Sequence, residues 1–543
     1  MALPATPPAI PTEVPPGPTL PGLRFEVQAP ATEVSPLRTD IAGFVGPTLR
    51  GPLGVAVRVE GWRQYQALYG DFAPGAETPY GIRGYFENGG EVAYVIRLLS
   101  QAETQEPAAA WALWQVADVD PVTKDWVAGA PSAGRFTGAS YRVEATSPGV
   151  WANGMRVTFR YRMRGRGGKP EVDIDVLPLR GDAEYLMALP PDDLVAAVEA
   201  RSALIRLSVV DAAPQQAALP GPLTLGWDPV ILDRGTEVPA GYQDYIAAAD
   251  LLAGQREVAL MAAPDLWRMP GSAEQQQAVL GYLLNLAEAS HDRELLSDLP
   301  AELTRAEDAI SWLDARRIGL DEDLPRSMAV YHPRLLVPDP LGGVLRPLRE
   351  VSPLGHVAGV VSRLDRERGA HHTPANAELF EAVDLAVFYK AEEQGALAMA
   401  GINPLRCASG RGLVVWGGRT AFDPDNGMTG LFVAHRRLIH RLVRAIRRVA
   451  EPLVFENNGP DLWLTLVRAI TSVLLEAWQA GALKGEIPEQ AFQVHCDETT
   501  TPPETEDAGQ LLCEVMLAPA VPMEFITLRI AASRAGQLEV IEA

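Results

Sequence analysis

Alternating apolar and polar residues predict the strands of this chain, and an apolar residue every three or four positions predicts its helices. In the N-terminal fifth, strands are expected at Ile41–Val45 and Val92–Leu98. Helices are expected between them, over Trp62–Tyr69 and Pro79–Asn88. Helix and strand patterns alternate again between residues 240 and 400, which favours a mostly parallel sheet with helices on its faces.

Two regions depart from this alternation. Residues 101–230 contain alternating segments such as Tyr141–Ala145 and Met155–Tyr161 among Trp, Pro and Gly, and they predict a β-rich domain. Residues 1–22 are rich in proline, which lacks the amide donor and restricts φ, so an extended arm is expected there. The alternating segment Leu23–Val27 follows and predicts a strand.

The C-terminal region predicts two helices followed by strands. The helices are expected over Leu431–Leu453 and Asp461–Ala480. Asn458 is a plausible N-cap of the second helix, and Pro460 suits its first turn. The extended segments expected after it lie at residues 491–496, 510–517, 524–530 and 536–541.

The first of these helices is unusually basic for a chain with a formal net charge of −22. Leu438, Leu442 and Ile446 recur at helical spacing and form an apolar stripe. Arginines at spacings of four, three and four form a second stripe beside it. Its members are Arg437, Arg441, Arg444 and Arg448. Two interpretations stay open: a face that is solvated or paired with acids of the same subunit, and a docking strip for an acidic partner.

Composition narrows the classes of function. The 543 residues are enough for several domains, and 47% hydrophobic content can fill large cores. With 47 Lys and Arg against 69 Asp and Glu, the surface disfavours nucleic acid, whose binding depends on basic residues. No signal peptide and no membrane-spanning run of 18 apolar residues is visible. Cys407, Cys496 and Cys513 form no disulfide framework, which fits a reducing cytoplasm.

The motifs of catalysis and metal binding that this chain suggests are all incomplete. Gly168-Lys169 is followed by proline where a P-loop needs Ser or Thr. The acidic loop at Asp423–Gly427 lacks the terminal carboxylate that a calcium loop requires. His371-His372 and His495-Cys496 lack partners at zinc spacing, and no G-x-S-x-G sequence occurs. We therefore expect no catalytic residues, no metal ligands and no cofactor.

A series of short segments stands out in chain order: Asp40–Gly46, Arg50–Pro52, Tyr85–Gly90, Ala93–Arg97, Ser147–Asn153, Ser352–Asn376, Ile402–Pro404, Gly410–Gly412, Val415–Thr420, Phe455–Asn458, Gly481–Leu483, Ala491–Val494, Cys496–Thr500 and Ala518–Phe525. Together they resemble the contractile tail sheath proteins of phage tails and related injection machines. The likeness is strongest over residues 23–100 and 325–530.

The resemblance implies a mixed α/β, multidomain fold with a subtilisin-like but non-catalytic central domain. In chain order, the expected organisation comprises a proline-rich arm (1–22), the N-terminal part of the core (23–100), a β-rich outer insertion (101–235), the central domain (236–400), a C-terminal domain facing the inner tube (401–531) and a C-terminal arm (532–543).

The resemblance also implies a structural role. Sheath subunits form hexameric rings around an inner tube in a metastable extended state, and they contract to drive the tube through a target envelope. Implied partners are neighbouring subunits, the inner tube protein, and baseplate and terminator proteins, without nucleic acid or membrane insertion. Arg437, Arg441, Arg444 and Arg448 are the candidates for tube docking. The candidates for strand exchange between subunits are Leu23, Phe25, Val27, Leu538 and Val540.

The expected location follows from the same resemblance: assembly in a bacterial cytoplasm, then release by lysis within a phage tail or extracellular contractile particle. Two alternatives remain at this stage. One is a baseplate or other tail component of similar fold. The other is a degenerate subtilisin-like hydrolase, which would need a nucleophile with a base in hydrogen-bond reach.

Overall fold

A computed structural model describes residues 38–542 of the chain, except for residues 101–105, 116–139, 164–169, 191–192, 211–222, 226–227, 318–323, 424–429, 455, 503, 505–509, 521–525 and 533–537. Its strands are β1 (Ala42–Gly46), β2 (Val57–Val59), β3 (Ala93–Arg97), β4 (Trp111–Gln115), β5 (Ser140–Ala145), β6 (Arg156–Met163), β7 (Pro170–Leu177), β8 (Glu184–Leu189), β9 (Ile205–Val210), β10 (Leu223–Leu225), β11 (Val230–Ile231), β12 (Leu260–Ala262), β13 (Glu294–Ser297), β14 (Met328–His332), β15 (Leu335–Pro338), β16 (Leu348–Val351), β17 (Asp384–Leu385), β18 (Ile402–Ala408), β19 (Gly412–Val415), β20 (Phe492–His495), β21 (Leu511–Leu517), β22 (Ile526–Ala532) and β23 (Leu538–Glu542).

The helices are α1 (Trp62–Tyr69), α2 (Thr78–Glu87), α3 (Leu194–Arg201), α4 (Tyr242–Ala253), α5 (Ala273–Ser290), α6 (Ala306–Arg317), α7 (Leu354–Arg368), α8 (Ala391–Met399), α9 (Val433–Ala450), α10 (Pro460–Gln479) and α11 (Pro488–Ala491). In the described ranges, none of them combines the length and the apolar character needed to cross a membrane.

A large sheet with the strand order β19-β18-β14-β13-β12-β1-β3-β2 organises the body of the chain. Its inner strands are parallel, and the edge strands β2 and β19 are antiparallel to their neighbours. Side chains alternate between two cores: Phe44 packs on the side of α2 and α7, and Val45 packs on the side of α4 and α5. Strands buried on both faces explain why the apolar runs here are nearly continuous.

The large sheet includes two strands that follow residue 401. Strand β18 pairs with β14, and β19 pairs with β18. The chain up to Val415 is therefore part of the large sheet. The sequence pattern did not predict which sheet these strands join, because a strand of either sheet carries the same apolar alternation.

Helices α2 and α7 cross at glycines. A Cβ atom built on Gly355 of α7 would lie 1.9 Å from the carbonyl oxygen of Gly81 in α2. One built on Gly359 would lie 2.4 Å from the carbonyl oxygen of Tyr85. Only glycine at these positions allows the two helices to approach this closely. The segments Tyr85–Gly90 and Ser352–Asn376, which carried part of the family resemblance, meet at this crossing.

Strands β4–β11, with α3, form two antiparallel-rich sheets between β3 and α4. The strand orders are β10-β4-β5-β9 and β11-β6-β7-β8. Trp114 of the first sheet stacks on Phe159 of the second, with ring centroids 3.8 Å apart. Val143 and Ile174 are fully buried in the same core. This region thus has its own core.

The C-terminal region packs α9 and α10 against a sheet with the order β20-β21-β22-β23. Pro460 begins α10, as predicted, but the N-cap position belongs to Gly459 and not to Asn458. The Asn458 amide instead accepts a hydrogen bond from Trp463 Nε1 at 2.7 Å and donates to the Gln510 carbonyl. Asn458 therefore fixes the helix start against β21 through its side chain, from the position before the N-cap.

Candidate functional site

Helix α9 lies between the large sheet and the core of the C-terminal domain. Leu438, Leu442 and Ile446 face α10 and are buried, as the apolar spacing predicted. The opposite side of the helix is covered as well, because Arg436, Arg437 and Arg444 are each at most 2% exposed. The helix is therefore an internal connection between the large sheet and the C-terminal domain.

Arg444 bonds main-chain carbonyl groups at the start of several parallel strands. Its guanidinium donates to the carbonyl oxygens of Asp292 at 2.9 Å, Arg38 at 3.0 Å and Glu257 at 3.1 Å, and also to that of Val258. These residues precede β13, β1 and β12. Burial lowers the pKa of Arg444 to about 10. Its fork of donors thus satisfies carbonyls that the sheet itself leaves unpaired.

Arg437 enters an acidic site made by α7 and β13. Its Nη2 donates to Asp365 Oδ2 at 2.5 Å and to the Thr39 carbonyl at 2.9 Å, and its Nη1 lies 3.6 Å from Glu294 Oε2. Burial raises the pKa of Glu294 to about 7, against the opposing charge of Arg437. Burial also acts to lower the pKa of Arg437, but Asp365 and Glu294 outweigh it and the pKa is raised.

Two further arginines of α9 extend the same attachment. Arg447 donates to Asp292 Oδ2 at 3.0 Å and to the Ser290 carbonyl at 2.7 Å. Arg436 donates to Ser327 Oγ at 3.1 Å. Sequence reasoning missed the acceptors of this network. Glu294 carries a faint signal, since it is an acid directly before the apolar pair Leu295-Leu296 of a short strand.

This geometry corrects the predicted docking strip. Arg437 and Arg444 are not on the surface, because the large sheet covers their side of the helix; they belong to the interpretation in which the basic face bonds groups of the same subunit. Arg448 is exposed, and Arg441 is half-buried beside His371 and Glu476 in a crevice. The four arginines share one helical face, but only two of them can meet a partner.

The C-terminal sheet ends in β23. Strand β22 pairs antiparallel with β21, and β23 pairs with β22, with Val540 opposite Ile530 and Leu538 opposite Ala532. Strand β23 is the edge of this sheet in the part of the chain that the structure describes. Leu23, Phe25 and Val27, the other candidates for strand exchange, lie outside the described residues.

The carboxyl edge of the large parallel sheet, where many α/β proteins bind ligands, holds a buried charge cluster. Glu77 accepts hydrogen bonds from Arg334 and from Arg268 at 2.9 Å, and Asp298 accepts one from Arg334 at 3.1 Å. Asp265 accepts hydrogen bonds from the main-chain N–H groups of Glu77 and Thr78, so it caps the start of α2.

These contacts give the carboxylates a structural role. They lie at the sheet edge where an α/β enzyme would hold its catalytic groups. Burial raises the pKa of Asp265 to about 6 and that of Asp298 to about 7. Burial lowers the pKa of the nearby His332 to about 4, and this ring bonds the Tyr389 hydroxyl at 2.7 Å. Within the described ranges, His, Cys, Asp and Glu side chains form no group of three that could hold a metal.

A match with a known protein family covers α9, α10 and the strands β20, β21 and β22. Residues 427–533 match the family described as phage tail sheath C-terminal domain. This region of the chain is therefore similar to that domain. The chain is also 29% identical over 182 residues to the tail sheath protein of Vibrio phage KVP40, and 26% identical over 183 residues to that of Enterobacteria phage T4. The resemblance to contractile tail sheath proteins is thereby confirmed.

The sequence matches are partial, whereas the structural likeness is broad. Each phage alignment covers 33% of this chain, and the chain spans about a quarter of the relatives' length, 26% and 27%. The sheath tail protein of Desulfitobacterium hafniense matches 94% of this chain and all of its own, with a TM-score of 0.60 and 12% identity. The helical sheath of the anti-feeding prophage in its contracted state matches 93% of this chain and 97% of its own, with a TM-score of 0.54 and 22% identity.

At these identities the solved structures show a shared fold. They confirm the predicted fold class, a mixed α/β architecture with several domains. A subtilisin-like character of the central domain stays a prediction, and so do the predicted domain limits.

Proposed function

We propose that this chain is a structural subunit of a contractile tail sheath. The match of residues 427–533 to the sheath C-terminal domain carries the proposal. The fold likeness over more than nine-tenths of the chain supports it, since a tail component with only a borrowed C-terminal domain would not share the rest. In this function the subunits form hexameric rings around an inner tube, in an extended state that contracts and drives the tube into a target envelope.

Strand exchange would link the subunits. An edge strand leaves main-chain N–H and C=O groups unpaired and is a template for a further strand. Strand β23 lies at such an edge and follows residues 533–537. The same strand can therefore pair with β22 of its own subunit or with that of a neighbour, with Leu538 and Val540 in the same register. Leu23, Phe25 and Val27 of the N-terminal arm are proposed to add a strand in the same way.

Contraction would move subunits as nearly rigid bodies. The buried bonds of Arg437 and Arg444 tie the C-terminal domain to the large sheet, so a rotation of one carries the other. Rigid-body rotation at an interface with two packed arrangements is a common switching mode. In this function the sheath consumes no nucleotide, because the energy is stored in the extended assembly and is released as better-packed interfaces form.

Arg441 and Arg448 are the remaining candidates for contact with an acidic inner tube. Each exposed ion pair contributes only about 0.2–1 kcal/mol, which suits a contact that must release during contraction. Assembly in a bacterial cytoplasm and release by lysis complete the proposed life of the particle. The proposed partners are neighbouring subunits, the tube protein, and baseplate and terminator proteins.

Electron microscopy of the purified chain in negative stain tests the proposal. Long hollow tubes with regular striations are expected from the chain alone or after co-expression with its tube protein. Particles that stay dispersed under both conditions would contradict a sheath function.

A baseplate component is the second candidate, because one solved structure of similar fold is described as an anti-feeding prophage baseplate. Copy number separates the two. A sheath subunit is among the most abundant proteins of its particle, whereas a baseplate component is present in few copies. Quantitative mass spectrometry of intact particles, with the tube protein as the internal standard, measures this ratio.

A further inference from the structure

Two of the three cysteines face each other across adjacent strands of the C-terminal sheet. Strands β20 and β21 pair antiparallel, with Val494 opposite Val515 and His495 opposite Glu514. The next step in this register places Cys496 opposite Cys513. Directly opposed residues of an antiparallel pair have Cα atoms about 4.5–5.5 Å apart, within the range of about 4.4–6.8 Å that a disulfide spans.

Both side chains lie on the same face of the sheet. Cys513 alternates with half-buried positions in β21 and is buried together with Leu511 and Val515. Cys496 continues the inward face of β20 and packs against the same core, but it stays partly accessible. Each thiol influences the other: the neighbouring Cys513 lowers the pKa of Cys496, and the neighbouring Cys496, together with burial, raises the pKa of Cys513.

We propose that Cys496 and Cys513 form a reversible cross-strand disulfide when the protein meets a disulfide oxidant such as oxidised glutathione. The Cys496 thiolate attacks one sulfur of the oxidant, forms a mixed disulfide and releases one reduced thiol. Cys513 then loses its proton and attacks the Cys496 sulfur, which releases the second reduced thiol. Two protein thiols are oxidised and one small-molecule disulfide is reduced.

The position of the disulfide within the sheet decides which strands it constrains. It would join β20 to β21 and leave β22 and β23 unconstrained. A cytoplasm keeps such a pair reduced, and surroundings outside a cell favour oxidation. If the proposed function holds, the bond would secure β20 against β21 after release, while β22 and β23 stay available for exchange between subunits.

Thiol mapping of the dispersed full-length chain tests the disulfide without requiring assembly. The reduced protein is incubated under native conditions with oxidised glutathione, quenched in acid, denatured and alkylated, and its peptides are identified by mass spectrometry. A Cys496–Cys513 cross-link is expected. Cys407, which is exposed on β18, serves as the internal comparison and should carry either the alkyl group or glutathione.

Three variants make the result decisive. The cross-link should persist in Cys407→Ser and disappear in Cys496→Ser. In Cys513→Ser, the glutathione adduct on Cys496 should accumulate, because no second thiol displaces it. The unfolding temperature of the oxidised wild-type chain should exceed that of the reduced chain, whereas Cys496→Ser should show no such difference.

The opposite pattern would overturn the proposal. If wild-type Cys496 accumulates glutathione as Cys513→Ser does, or if both thiols remain fully alkylatable, the pair is only a buried part of the core. Because this assay uses dispersed subunits, a failure to form tubes leaves its result unaffected. A missing cross-link likewise leaves the sheath proposal standing.

Discussion

Single charged side chains attach α9 to the rest of the molecule. Arg444 donates hydrogen bonds to main-chain carbonyls at the start of the parallel strands, where the sheet offers these groups no donor. Arg437 places a positive charge between Asp365 and Glu294. Buried polar groups of this kind cost little while they are satisfied and much when one partner is removed. The stability of the connection therefore depends on a few residues.

Replacing Arg444 by methionine tests this dependence. Methionine has a similar length but no donors, so several buried carbonyls lose their partner, and local stability should fall by about 3 kcal/mol or more. Hydrogen exchange of α9 peptides measures the change, because it reports local opening. Arg448→Met, on the exposed end of the helix, is the matched control and should exchange like the wild-type chain. Equal protection of α9 in Arg444→Met would show that the carbonyl contacts contribute nothing.

Glu294 makes stability depend on pH. Burial raises the pKa of its folded form to about 7, above the ordinary value of 4.5, so the folded state holds the proton that the unfolded state has lost. Its contribution is complete below pH 4.5 and is lost as the pH rises to about 7. Asp298 acts in the same direction.

Glu294→Gln should therefore flatten the decline of stability with rising pH. Between about pH 5.5 and 7, the wild-type chain should lose at most about 2 kcal/mol more than the variant. Denaturant unfolding at a series of pH values measures this difference. Glu367→Gln, on the exposed end of α7, should keep the wild-type slope. Parallel slopes for wild type and Glu294→Gln would mean that Glu294 stays ionised in the folded protein.

At the scale of elements, close approach of helices and edges of sheets decide the architecture. Helices α2 and α7 are in contact at backbone distance, which fixes one face of the large sheet. The C-terminal sheet has the opposite character. Its last strand lies at an edge and is joined to the others through one neighbour.

Gly355→Ala should destabilise the crossing of α2 and α7. The new methyl group would meet the carbonyl of Gly81, and separating the helices should cost about 1–3 kcal/mol. Gly395→Ala provides the comparison, because a Cβ there has no neighbour within 4 Å. It lies in α8 and should be neutral or stabilising by about 0.5–1 kcal/mol. Denaturant midpoints of the two variants should therefore move in opposite directions, and a shared direction would argue against a tight crossing.

Removing residues 533–543 deletes β23 and leaves β22 as the edge of the sheet. Because β23 is the last strand in the described order of this sheet and pairs with β22, circular dichroism and the unfolding midpoint should stay close to those of the full chain. Assembly should be lost, leaving a dispersed subunit in electron microscopy. The same outcome is expected for removal of residues 1–27. Tubes formed by either truncated chain would refute strand exchange by that arm.

At the scale of the whole molecule, the charged side chains that are not bonded inside the subunit limit how its surface can bind partners. The chain has a formal net charge of −22, and two arginines of the predicted docking strip are used inside the subunit. Contact with an acidic tube would thus rest on the smaller set formed by Arg441 and Arg448. Weak and salt-sensitive attachment is the expected consequence.

Reversing both charges, as Arg441→Glu with Arg448→Glu, should reduce co-assembly with the tube protein and leave the fold intact. Each lost ion pair is worth about 0.2–1 kcal/mol. At low salt, the loss of binding energy should therefore be small for one subunit, but it adds up to a large loss over an array of subunits. Arg201→Glu with Arg206→Glu, exposed on the β-rich region, changes the net charge equally and should assemble normally. Electron micrographs that show equal numbers of tube-filled sheaths for the two variants would remove these arginines from the interface.

The sequence predicted the local elements well, because periodicity depends on neighbouring residues. Helix α1 has the predicted limits, and α9 and α10 lie within three residues of theirs. It also carried the family resemblance, through motifs such as Gly355–Gly359 that occupy a tight helix crossing. It did not predict the inclusion of β18 and β19 in the large sheet, nor the partners of Glu77, Asp265 and Asp298. Those depend on which distant segments become neighbours.

The basic face of α9 distinguishes most clearly what the sequence determines from what the tertiary structure determines. The sequence by itself determined that four arginines share one side of an amphipathic helix, because their spacing follows the helical repeat. Only the tertiary structure decided that Arg437 and Arg444 are internal, because their acceptors come from residues such as Asp365 and Asp292, and the latter lies 152 positions away along the chain. A charge pattern states which side chains lie together; what covers them is set by the packing of the whole chain.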